Sequence, residues 1–280
     1  MSNEMWCNLN GHIQSSGETL FSSADDSFRL RYGIYETYLY EKGRLEYAAL
    51  HWERLHKGMS LLGFTIPNHF SERFFSEQAG EMMTRNRLHD LVRIRIQVFT
   101  GDYAAPYVPQ FLIEAFPLEK PMTEWLPNGI EIALLPGFQK EITEVSNCKI
   151  SHNKHFIPAR DMMAEQGLDD VLLLNTQGRV AESAMANLFW IRNGVVYTPP
   201  LSEGCLAGTI RAVIIACLRE HRVPFEEQAC SLQTLRDADE LFLCNSIRKI
   251  RWVRKMEDRY YTDVMSRQLY RLLQADPVQD

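Results

Sequence analysis

A chain of 280 residues, 45% of them apolar, can bury a substantial core in one large domain or two modest ones. A net charge of −6 with interspersed signs argues against the clustered basic face that a nucleic-acid backbone requires, and no stretch approaches the roughly 20 apolar residues that cross a bilayer. The start, MSNEMWCNLNGHIQ, lacks the basic opening and apolar run of a signal peptide, and Cys7, Cys148, Cys205, Cys217, Cys230 and Cys244 follow no CxxC spacing, so reduced thiols and a cytoplasmic address are expected.

The opening, rich in Ser and Gly, reads as irregular. RYGIYETYLYEKGRLEY then reads as a hairpin, because aromatic and β-branched residues flank a turn at Glu41-Lys42-Gly43. In EYAALHWERLHKGMSLLGF the apolar residues Leu50, Leu55, Met59 and Leu62 recur near helical spacing, with Gly63 as terminator. SERFFSEQAGEMMTRN reads as a second helix opened by a Ser cap. LVRIRIQVF alternates as a strand should, with its arginines on one face, and FLIEAF makes another strand.

FPLEKPMTEWLPNG, with three prolines, a glycine and no periodicity, separates a small N-terminal domain over 1–116 from a larger one over 125–280, with the linker over 117–124. Beyond it, short strands are expected at GIEIALL, DDVLLLN, NLFWI and VVYTPP, with turns at TQG and at Arg192-Asn193-Gly194. Helical patterns sit at HFIPARDMMAEQG, TIRAVIIACLREH and DVMSRQLYRLLQ. The mixture is α+β, two domains each with strands and packed helices. The one basic run, RKIRWVRK, reads as an exposed strand edge guarded by charge.

The decapeptide NCKISHNKHF, Asn147 to Phe156, concentrates reactive side chains. As a zinc site it lacks a second Cys/His pair to complete a ligand set. As a thiol nucleophile, Cys148 lies close in sequence to His152 and His155, without a recognisable oxyanion motif. As an amine site it needs a cofactor held elsewhere by a helix amino terminus and by an acid facing a ring nitrogen. LSEGCLAGTIR, which runs into the helix TIRAVIIACLREH, and Glu182 in RVAESAMANLFW can supply these.

From Asn147 to Arg211 the chain resembles the signature region of the class IV, fold type IV pyridoxal-phosphate enzymes, which include branched-chain and D-amino acid aminotransferases and aminodeoxychorismate lyase. RYGIYET with HWERL upstream and ELFLCNSIRKI downstream are similar to other segments of that family. The resemblance implies a small N-terminal α/β domain, a larger cofactor-binding domain with a mixed, barrel-like sheet, and pyridoxal 5'-phosphate as cofactor. It implies that Lys149 is the Schiff-base lysine, that Glu182 faces the ring nitrogen, and that Arg54 binds phosphate. The backbone amides of Thr209 and Ile210 would meet the phosphate, with the Ser246 hydroxyl near it, and Asn187 would brace the loop. Two departures stand out: Ile210 replaces a common threonine, and Lys154 follows Asn153 where the family often has an aromatic.

For the substrate, the resemblance points to Tyr35, Arg95 and Ile247. The planar fork of Arg95 suits a carboxylate, a structural ion pair being its bland alternative, while Tyr35 and Tyr38 either line a pocket or pack in the core. The implied activity is transfer of an amino group between an amino acid, branched-chain-like or D-configured, and a 2-oxo acid. The alternative is aminodeoxychorismate cleavage to pyruvate and 4-aminobenzoate. The implied partners are these small molecules and a second copy of the chain, since relatives build each site at a dimer interface; no nucleic acid, membrane or metal is expected.

Overall fold

The computed structural model describes residues 5–18, 20, 32–101, 107–119 and 122–275; Arg31 of the RYGIYET segment and residues 120–121 of the expected linker lie outside them. The chain divides into two compact units, Met1–Met122 with Cys148–His152, and Thr123–Asn147 with Asn153–Gln279.

In the first unit a six-stranded sheet has the order β2-β1-β6-β5-β3-β4. Its members are β1 (Trp6–Leu9), β2 (His12–Ser15), β3 (Gly33–Glu41), β4 (Arg44–Leu45), β5 (Val92–Thr100) and β6 (Pro109–Pro117). The opening is therefore not irregular: β1 and β2 form a hairpin around Asn10-Gly11. Both turn residues take positive φ, 54° and 86°, which Asn and Gly tolerate and most residues do not.

Alternation along β3 sends Ile34, Glu36 and Tyr38 into the core while Tyr35 and Thr37 stay half-buried on the opposite face. Helix α1 (Ala48–Leu61) covers the core face with His51, Leu55, Gly58 and Met59, which recur one helical turn apart. Helix α2 (Glu72–Arg85) starts where Ser71 Oγ accepts the Phe74 N–H at 3.1 Å, and it buries Phe75, Ala79, Met82 and Met83. Phe70, Phe74, Phe75 and Phe111 pack between the helix and the sheet, Phe70 stacked on Phe74 and the contacts with Phe75 and Phe111 edge to face.

The second unit is built on β7 (Ile130–Lys140), β8 (Asp170–Asn175), β9 (Val180–Ser183), β10 (Asn187–Arg192), β11 (Val195–Thr198), β12 (Phe225–Glu227), β13 (Glu240–Asn245), β14 (Lys249–Met256) and β15 (Arg259–Tyr260). The strand order is β12-β11-β10-β13-β14-β7-β8-β9, with β15 on β14. β14, β7 and β8 run parallel, and the flanking pairs are antiparallel except β11 with β12. Helices α3 (Phe156–Gln166), α4 (Thr209–Glu220), α5 (Leu232–Arg236) and α6 (Val264–Ala275) complete the unit. Buried Glu240 fixes the start of α6, accepting the Met265 and Ser266 N–H groups at 2.8 and 2.9 Å.

The run RKIRWVRK is not an exposed edge. As β14 it is hydrogen-bonded to β13 on one side and β7 on the other, with Ile250, Trp252 and Val253 buried. Its arginines lie at intervening, half-buried positions between these buried residues, so the charge sits on an internal strand. GIEIALL also extends further than its pattern indicates. A register shift between Leu134 and Gln139 absorbs Pro136-Gly137, and the strand resumes to end at Lys140.

Candidate active site

In the second unit, β9 places Glu182 beside β8, with its side chain 8% exposed. Three donors hold the carboxylate. Lys140 Nζ, at the end of β7, donates to Oε1. The Leu206 N–H donates to Oε2 at 2.9 Å, and Asn187 Nδ2 approaches the same oxygen at 3.4 Å. Asn187 also donates to the Leu206 carbonyl at 2.8 Å, bracing the loop that leads into α4.

That loop ends in Gly208, the residue before α4, with an extended backbone. A Cβ at Gly208 would overlap Asn187 Oδ1, so any larger residue here would displace the Asn187 side chain from this close approach. The N–H groups of the first helical turn, beginning at Thr209 and Ile210, have no intrahelical carbonyl and carry the positive end of the helix dipole. Thr209 Oγ1 and Ser246 Oγ lie 3.0 Å apart, which brings the turn between β13 and β14 to the same helix start. Asn245 Oδ1 holds that turn by accepting the Ile247 and Arg248 N–H groups at 3.1 and 2.8 Å. The side chain of Ile210 is buried in the core, so of that residue only the backbone is available as a donor.

The first unit holds Lys149. Its carbonyl accepts the Tyr35 N–H at 2.9 Å, and Ile150 bridges to Ile34, so the segment from Cys148 to His152 adds to β3. Lys149 Nζ lies 4.8 Å from the Tyr35 ring centroid and the Arg95 guanidinium lies 4.4 Å from it, so two cations approach one aromatic ring. Arg95 Nη2 donates to Gln97 at 2.9 Å, while its buried Nε has no hydrogen-bond partner. Glu114 stands opposite Arg95 across the strands, yet no ion pair joins them among the described residues. Tyr38 belongs to the other face, where it is buried with its ring 4.3 Å from that of His51, so its role is core packing.

Arg54 projects from α1 onto Glu36. Its Nε donates to Oε1 at 2.7 Å and its Nη2 to Oε2 at 2.5 Å, while His51 Nδ1 meets Oε2 at 2.6 Å. Burial pushes the Glu36 carboxyl up, but the Arg54 charge, its hydrogen bonds and His51 more than reverse this and hold it at about 2. The thiol reading of Cys148 loses ground, because burial raises its pKa against the opposing pull of Lys57 and Arg54. Lys154 is exposed, 3.8 Å from Glu141.

The second unit thus gathers Glu182, Thr209, Ile210, Ser246 and Ile247 around linked loops, and the first gathers Tyr35, Arg95 and Lys149, with Arg54 tied to Glu36. Sequence reasoning missed Lys140. Pro136-Gly137 reads as a strand end, and the alternating Phe138-Gln139-Lys140 beyond it was the available signal.

Residues 33–256 match the family described as amino-transferase class IV. The chain is 26% identical to aminodeoxychorismate lyase of Vibrio harveyi, over 80% of this chain and 82% of that one. It is 24% identical to D-alanine aminotransferase of Bacillus licheniformis, over 86% and 85%. Among solved structures, the branched-chain aminotransferase of Thermoproteus uzoniensis with norvaline shares the fold with a TM-score of 0.84 at 20% identity, covering 97% of this chain and 94% of that one.

Proposed function

The chain belongs to the class IV aminotransferases, a pyridoxal-phosphate-dependent family, and from that premise we propose that it moves an amino group between an amino acid, branched-chain-like or D-configured, and a 2-oxo acid. The observation that carries this reading is the donor set of the second unit. A buried carboxylate, a helix amino terminus preceded by a closely approached glycine, and two adjoining hydroxyls are what a phosphorylated pyridine aldehyde calls for.

Bound pyridoxal phosphate supplies a conjugated ring that takes up negative charge developing at the substrate Cα. The residues do the rest. Lys149 would be the amine that holds the cofactor at its aldehyde, and its Nζ would hold and return the proton of the substrate Cα. Glu182 accepts the ring N–H. In the second unit the Thr209 and Ile210 amides and the Thr209 and Ser246 hydroxyls would bind phosphate; the family resemblance gives the same role to Arg54, which Glu36 keeps in one orientation within the first unit. Arg95 takes the substrate carboxylate: its buried Nε is unpartnered, and its charge meets no acid within ion-pair distance among the described residues. Tyr35 and Ile247 border the substrate. Operation as a homodimer in the cytoplasm completes the proposal; the family resemblance supports the dimer, and six free, buried cysteines suit a reducing compartment.

A second reading, cleavage of 4-amino-4-deoxychorismate to pyruvate and 4-aminobenzoate, is favoured by the likeness to the Vibrio harveyi lyase. Pure protein given 4-amino-4-deoxychorismate, or branched-chain L-amino acids or D-alanine with 2-oxoglutarate, separates the two. Glutamate formation supports transamination, and pyruvate without an oxo-acid acceptor supports the lyase. Borohydride trapping followed by peptide mass spectrometry should place the cofactor on Lys149. Lys149→Ala should abolish the adduct and Lys154→Ala should leave it, whereas label on Lys140 or Lys154 in the unmodified protein overturns the assignment.

A further inference from the structure

Lys140 has no place in the reading drawn from the family, yet it contacts the acid at the centre of that reading. Its side chain is 17% exposed, and its ammonium sits on Glu182 Oε1, with the Ser146 carbonyl as a distant second acceptor at 3.5 Å. The other Glu182 oxygen is held by a backbone N–H and an uncharged amide. Of the three donors, Lys140 alone carries a charge, and a charge-assisted bond to a buried carboxylate is the strongest of the three kinds. The donors come from β7, from β10 and from the loop before α4, so the carboxylate is clamped from three directions.

We propose that Lys140 is a positioning residue for the cofactor's ring: its ammonium holds Glu182 in the orientation that meets the ring nitrogen, and the affinity for pyridoxal phosphate depends on Lys140 through Glu182. This rests on the proposed function, since it assumes that Glu182 faces the ring. The position is supplied by a strand that continues past its own bulge. Without the resumption of β7 at Gln139 and Lys140, no cation would reach Glu182 from that side.

The test is a double-mutant cycle read by binding rather than turnover. Cofactor-free protein is titrated with pyridoxal phosphate, followed by cofactor absorbance, for the unmodified chain, Lys140→Met, Lys140→Arg, Glu182→Gln and the Lys140→Met/Glu182→Gln pair. Lys140→Met should weaken binding about tenfold, Lys140→Arg should stay within about threefold, and in the Glu182→Gln background Lys140→Met should change binding less than about twofold. Equal losses in both backgrounds, or no loss from Lys140→Met alone, overturn the proposal. Should Lys140→Met fail to fold, as judged by its thermal midpoint, Lys140→Gln takes its place in the cycle. If the unmodified chain binds no pyridoxal phosphate, the functional reading beneath the proposal falls instead, which distinguishes the two failures.

Discussion

Two buried carboxylates, Glu36 in the first unit and Glu182 in the second, solve the same physical problem differently. Glu36 is fully buried and enclosed by charge: Arg54 grips both of its oxygens and His51 adds a third contact. Glu182 is held by one lysine, one backbone N–H and one long amide contact. A carboxylate saturated by a bidentate arginine and an imidazole has its bonding directions spent on the fold, and what it can still do is fix Arg54. One held by a single ammonium, one loop N–H and a long side-chain amide contact keeps capacity for another donor. The difference separates an acid that stabilises from an acid that is available to bind.

The largest effect follows directly. Glu36→Ala removes the buried acid that Arg54 and His51 contact in the first unit and should cost about 3–5 kcal/mol, the usual penalty for breaking a buried pair from one side. Glu182→Gln, by contrast, should cost about 1 kcal/mol or less, because Lys140 retains partial access to water and the amide oxygen can still accept the Leu206 N–H. Urea unfolding of both variants measures this. Equal losses would erase the distinction between the two acids.

Acid titration tests the first of them independently. Because the Glu36 carboxyl is held at about 2 against an ordinary 4.5, its stabilisation is present above the unfolded value and is lost as pH falls from about 4.5 toward 2. A loss on the order of 3 kcal/mol is expected over that window. In Glu36→Gln the thermal midpoint should fall less steeply with acid than in the unmodified protein; a parallel decline would show that other groups govern acid unfolding.

A third buried acid gives the opposite sign and a somewhat smaller effect. Asp170 is pushed up to about 6 by burial, against the opposing pull of the Ser183 hydroxyl and the Val171 N–H. The Ser183 hydroxyl stands 2.8 Å from Asp170 Oδ2 and 2.9 Å from the Ala186 carbonyl, two acceptors for one hydrogen. A protonated Asp170 resolves this by donating to Ser183, which then donates to Ala186. The raised value means that the contribution is full below about 3.8 and is lost as pH rises through about 6. Asp170→Asn mimics the protonated acid, so its thermal midpoint should be flatter than that of the unmodified protein between pH 4 and 6.5. An unchanged slope would rule out this proton.

How much of this was legible in the sequence varies with the range of the interactions involved. The helices over α1, α2, α3, α4 and α6 announce themselves by local periodicity and by residues such as Ser71 and Gly63, whose effect is confined to one turn. Family membership was legible because residue types and spacings carry the resemblance, and the candidate site residues were named from it. The hairpin at Asn10-Gly11 carries its own local turn signal, inside a stretch whose Ser and Gly content otherwise points to irregular chain. Pairing partners were not. Whether RKIRWVRK is an edge or a central strand depends on β13 and β7, and β7 begins some 120 residues away in sequence. Lys140 was missed for a related reason: a bulge lets a strand pass through Pro136-Gly137 only when a neighbouring strand re-engages it, here through Leu174 and Asn175.

The smallest predicted effect concerns Lys154, the lysine five residues after the proposed Schiff-base lysine, Lys149. Lys154 and Glu141 are each about two-thirds exposed and 3.8 Å apart, so solvent screens the pair and side-chain entropy offsets what attraction remains. Lys154→Ala should therefore change stability by no more than about 0.5 kcal/mol, and salt should shift the variant and the unmodified protein alike. Cofactor capture at Lys149 should persist at full stoichiometry. A large loss of capture in Lys154→Ala would assign chemistry to a side chain that is otherwise a solvated tether, and would make the departure from the family's usual aromatic a functional substitution. Full capture leaves that position as one where an exposed amine replaces a ring without entering the reaction, in keeping with Lys154 facing water while Lys149 is half-buried against Tyr35.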